Sequence, residues 1–84
     1  MMTTERFRLE IFQEMKRQGN AKGYRWVFVE YDPFRANMRP GVSLQEFFQL
    51  MQQLCEEGLF ERKQGFSSFP DFALTELGEQ LIYQ

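Results

Sequence analysis

The sequence predicts a small α+β domain, and three observations carry that reading. Two stretches repeat apolar residues at helical spacing and begin at side chains that cap helices, Thr3 or Thr4 for the first and Ser43 for the second. Between and after them lie the runs "KGYRWVFVEY", "LFERKQ" and "DFAL", dense in β-branched and aromatic residues as strands are. Finally, 84 residues with 43% hydrophobic and 17% aromatic content suffice for one core, so residues 1–84 are read as a single domain.

The first helix runs from Thr4 to about Gln18, with Glu5 in its first turn, Lys16 and Arg17 in its last, and Gly19-Asn20 as its stop. Phe7, Ile11 and Met15 make one i, i+4 stripe. Leu9 and Phe12 lie further round and widen the apolar face beyond one core contact; they serve either a dimer seam or packing under a loop of the same chain.

Residues 24–31 are expected as a strand with both faces covered. Trp26 and the tyrosines there suit either a stacking platform for bases or the core, and core is preferred in so short a chain. Asp32 and Pro33 then read as an N-cap and first helical residue of a short helix, "PFRANM", stopped by Pro40-Gly41.

Ser43 and Glu46 fit the capping box S-x-x-E. The helix that follows gathers Leu44, Phe47, Phe48, Met51, Leu54 and Cys55 on one side and glutamines and glutamates on the other, and Gly58 ends it. A hairpin of "LFERKQ" and "DFAL" around the loop "GFSSFP" comes next. Thr75 caps a last helix, whose inward residues are expected to be Leu77, Leu81 and Ile82 and which Gly78 weakens.

Composition narrows the function classes. The chain has no histidine to activate Cys55, no paired acids beside an apolar pocket, no metal-ligand cluster and no phosphate-binding glycine loop, so no enzyme, metal or cofactor is expected. The lone cysteine and the lack of a leader-like or membrane-length apolar run suggest a cytoplasmic protein without membrane attachment. Ten basic against 12 acidic residues give a net charge of -2 and a pI near 5.1, opposite to the usual excess of a nucleic-acid binder, so any DNA contact needs clustered cations.

At "LMQQLCEEGLFERKQ" and "FALTELGEQL" the chain resembles winged helix-turn-helix proteins of the MarR, ArsR and PadR kind, through Leu54, Gly58, Leu59, Phe60, Arg62, Ala73, Leu74, Thr75 and Gly78. The resemblance spans residues 43–81 and departs in the first half, where "VEYDPFRANMRPGVS" stands in place of a clear second helix. The order helix, strand, short helix, helix, two-stranded hairpin and C-terminal helix, read from the residues, is on that resemblance the order of a winged helix. The resemblance further implies double-stranded DNA as partner and a homodimeric transcriptional regulator.

By that analogy Ser43, Gln45, Glu46 and Gln49 enter the major groove, where glutamine can bond adenine and glutamate can accept from cytosine. Arg35, Arg39, Arg62 and Lys63 are the candidate phosphate contacts, although solvated surface explains them equally well. The alternative is a protein-interaction module or adaptor that does not bind DNA, with Phe66 and Phe69 as an apolar knob at the wing tip beside Leu9 and Phe12 on the first helix. If Phe66, Phe69 and Phe72 fold back onto the hairpin, they are core instead.

Overall fold

The computed structural model describes residues 2–84. Helix α1 spans Thr4–Gln18, with the Thr3 hydroxyl accepting from the Arg6 amide, and it buries Phe7, Ile11 and Met15 completely. Its end follows from Gly19: at φ 71 the chain turns left-handed, and the Gly19 and Asn20 amides return to the Lys16 and Met15 carbonyls.

Strand β1 is only Arg25–Trp26, and helix α2 occupies Phe28–Asn37. Of the strand expected over residues 24–31, only Arg25–Trp26 is strand, and the half from Phe28 on is helix. Phe28, Tyr31, Phe34 and Met38 recur at spacings of three, three and four residues, and all four pack into or against the core. That helical period overrides the strand propensity of the residues carrying it.

Asp32 is accordingly not an N-cap, nor Pro33 a first residue. Val27 stands at the cap, where Glu30 reaches back to accept its amide at 3.2 Å. Pro33 lies inside the helix, one place after Asp32, whose carboxylate faces Arg35.

Helix α3 covers Leu44–Glu56 and buries Phe47, Leu50, Met51 and Leu54. The Ser43 hydroxyl accepts from the Glu46 amide at 3.1 Å, but the reciprocal half of the capping box is absent, because Glu46 turns toward α1 and accepts from the Met2 amide at 3.3 Å. At the far end Gly58, with φ 81, lets the Leu59 amide bond the Leu54 carbonyl and sends Leu59 into the core.

The hairpin is β2 (Phe60–Lys63) and β3 (Asp71–Leu74). Strand β3 is central in an antiparallel sheet of order β1-β3-β2, with Phe60 opposite Leu74, Arg62 opposite Phe72 and Trp26 opposite Phe72 on the other edge. The three-stranded sheet is as expected, with β1 shorter.

Helix α4 runs Glu76–Ile82 from a Thr75 cap that accepts from the Gly78 amide at 3.0 Å. Its inward residues are Gly78 and Ile82, not Leu77 and Leu81, which are 45% and 39% exposed. A Cβ on Gly78 would meet the Leu59 carbonyl oxygen and Leu74 Cδ1, so the helix lies against the residue that leads into β2 and the end of β3 with only hydrogen between them.

The core centres on aromatic rings from every layer. Tyr31 stacks on Phe47 at 5.0 Å, and Phe7, Trp26 and Phe72 meet Phe47 edge-on. Trp26, 1% exposed, is thus core and not a platform for bases.

Candidate nucleic-acid interface

Helix α3 presents Gln45, Gln49, Gln52 and Gln53 to solvent between two shallow grooves. On the α1 side the groove is lined by Met2, Thr4, Ser43 and Glu46. On the hairpin side the walls are Gln45, Gln49, Gln52 and Arg62, and Leu44 and Phe48 supply the apolar surface.

Arg62 arrives there through strand alternation: it shares a face of β2 with buried Phe60, which points it toward α3, whereas Glu61 and Lys63 point the other way. Because Glu46 lines the opposite groove, its charge is turned away from the side that Arg62 occupies.

The four candidate cations fare differently. Arg35 is committed inside the molecule: Nε and Nη2 donate to Asp32 Oδ1 at 2.9 and 2.6 Å, and Nη1 donates to the Val42 carbonyl at 2.9 Å. It holds the turn between α2 and α3.

Lys63 pairs with Glu61 at 2.9 Å on the surface. Arg39 and Arg62 are exposed and enter no ion pair among the described residues. The Arg39 carbonyl accepts from the Arg6 guanidinium, which fixes the backbone just before α3 and leaves the Arg39 side chain outward. Of the four, then, Arg62 alone lines the glutamine groove.

Leu44, Phe48 and Gln52 were missed as site residues by sequence reasoning. Gln52 follows Gln45 and Gln49 at i+7 and was legible from that spacing. Leu44 and Phe48 read as core because an apolar helix face does not reveal how much of its margin the neighbouring strand leaves open.

The hairpin loop divides its phenylalanines. Phe72 is buried, Phe69 packs against Phe28 and Phe48, and Phe66 is fully exposed. Phe69 therefore does not form a knob, whereas Phe66, with Val27, Phe28 and 76%-exposed Val29, lines a separate apolar hollow. On α1, Leu9 is 61% exposed and Phe12 is half-buried against the core.

Burial pushes the Cys55 thiol up from its ordinary value, against the opposing effect of Arg62. No set of three or more acidic, cysteine or histidine side chains among the described residues is placed to hold a metal, and no helix there is long and apolar enough to cross a membrane.

These features define a four-helix α+β domain with a three-stranded antiparallel sheet and a polar helix edge bordered by one unpaired arginine. No protein-family model, curated protein or solved structure matches the chain.

Proposed function

We propose that this chain is a winged-helix DNA-binding domain acting as a homodimer in transcriptional control, with α3 as the reading helix and β2–β3 as the wing. The order helix, strand, helix, helix, hairpin supports it, as does the resemblance over residues 43–81. The observation that carries the reading is the shared groove of Arg62 with Gln45, Gln49 and Gln52, which places a cation beside side chains able to bond base edges.

The phosphate clamp is smaller than four residues. Arg39 and Arg62 supply it, and Lys63, paired with Glu61 and pointing away from the groove face, is left out. Two protomers double the set, and exposed Leu9, Leu77 and Leu81 on α1 and α4 provide apolar surface for pairing.

Titration of duplex DNA at several salt concentrations tests this. Four phosphate contacts per dimer give a slope of log K against log salt of about -4, at about 0.9 per contact. Absence of binding at low salt removes the reading.

A second reading rests on Phe66 and Val29, whose exposure beside Phe28 suits docking of a protein. Under that reading Phe66→Ala abolishes partner capture, and Arg62→Ala leaves it intact.

A further inference from the structure

The geometry points to recognition of A·T base pairs by the groove between α3 and β2, with glutamine amides reading adenine and Leu44 and Phe48 reading the thymine methyl. This rests on the DNA-binding reading above and specifies which sequences that site prefers.

Gln45, Gln49 and Gln52 follow one edge of α3 at i, i+4 and i+7. At 1.5 Å per residue they span about 10.5 Å, close to three base pairs at about 3.4 Å each. Their amides are available, because the side-chain hydrogen bonds at the start of α3 belong to Ser43 and Glu46.

A primary amide offers one donor and one acceptor side by side, the complement of adenine N7 and N6 in the major groove. Guanine shows two acceptors there, which an amide satisfies only in part, and reading it well takes the paired donors of an arginine or lysine. Arg62 is the one cation in the groove and sits on β2, at its hairpin edge, where a phosphate is the expected neighbour.

The apolar surface completes the discrimination. Leu44 and Phe48 lie half-buried among the three glutamines, and in the major groove the thymine C5 methyl is the apolar group a base pair presents. Cytosine carries only hydrogen at C5 and leaves the same carbon surface without its apolar partner.

Competition against a labelled mixed-sequence duplex tests the inference, using alternating copolymers of dA-dT, dA-dU and dG-dC. We expect dA-dT to compete at least about tenfold better than dG-dC, with dA-dU between them because uracil lacks the methyl, a good amide–adenine pair discriminating by about tenfold or more.

Gln49→Ala, at an exposed position, should reduce the preference severalfold, lowering dA-dT affinity more than dG-dC affinity. Equal competition by dA-dT and dG-dC overturns the inference and leaves the DNA-binding reading standing. A preference that survives in the Gln45→Ala, Gln49→Ala, Gln52→Ala triple variant also overturns it, since groove shape is then what is read. Failure to bind the labelled duplex at low salt overturns both.

Discussion

Phe69 lies flat on Phe28, with ring centroids 4.2 Å apart and planes 12° from parallel, and this stack ties the β2–β3 loop to the first turn of α2. Phe48 of α3 continues it at 6.1 Å, so one loop residue bridges the two helices that precede the hairpin. Phe69→Ala removes a half-buried ring from this stack, and the expected loss is about 2–3 kcal/mol, below the 3–5 of a fully buried phenylalanine. Phe66→Ala, three residues away, should fall within about 0.5 kcal/mol of the parent. Urea midpoints of the two variants check the contrast, and equal midpoints contradict the packing described.

Gly78 carries the opposite expectation from its helix propensity. Alanine in a helix interior is worth about 1 kcal/mol over glycine, which by itself would stabilise α4. Its Cβ would instead strike the Leu59 carbonyl, which is backbone, and the terminal methyl of Leu74, which is buried, so Gly78→Ala should cost about 1–3 kcal/mol. A thermal midpoint above the parent's would show that α4 can move off the sheet.

What could be read from the sequence tracks how local the cause is. Caps and stops are local, and Thr3, Ser43, Thr75, Gly19 and Gly58 all act where they were expected to. Failure came where tertiary packing decides. The stretch from Phe28 to Tyr31 holds strand-forming residues at a helical period, and the core contacts of Tyr31 and Phe34 select the helix. Gly78 read as a weak point because sequence does not show that the Leu59 carbonyl lies against it, and with Gly78 inward, Leu77 and Leu81 are rotated outward. Arg35 read as a surface cation for the same reason: its acceptors on Asp32 and Val42 become adjacent only once α2 and the following turn have formed.

The tyrosines give the fold a dependence on high pH. Burial, with Asp71 nearby, pushes Tyr31 up to about 12, and its hydroxyl donates to the Pro70 carbonyl at 2.7 Å. Burial and the bond to Glu30 push Tyr24 up to about 12 as well. Each is harder to ionise folded than unfolded, where the value is about 10, so this contribution is whole below pH 10 and is lost as pH rises toward 12. For fully buried Tyr31 the loss by pH 12 is about 2 kcal/mol. Comparing urea midpoints of the parent and Tyr31→Phe between pH 8 and 11.5 isolates it, because lysines titrate alike in both. The parent should lose stability more steeply above pH 10, and parallel profiles would falsify the assignment.

Arg35 and Arg62 separate structure from binding. The Arg35 guanidinium donates to Asp32 and to the Val42 carbonyl, so Arg35→Ala leaves two acceptors unmatched at the turn into α3 and should destabilise by about 1–3 kcal/mol. Under the DNA-binding proposal it contributes no phosphate contact, and the salt slope of the folded variant should stay that of the parent. Arg62 makes no ion pair among the described residues and stands exposed in the glutamine groove, so Arg62→Ala should leave the stability measured by urea unfolding within about 0.5 kcal/mol of the parent. In a dimer the same change removes two contacts, lowering the slope of log K against log salt by about 2 and weakening binding to all sequences alike. Measuring both quantities on both variants is decisive, because a cation that serves the surface and one that serves the fold exchange their effects. An Arg62→Ala slope equal to the parent's would assign the groove to some ligand other than a duplex.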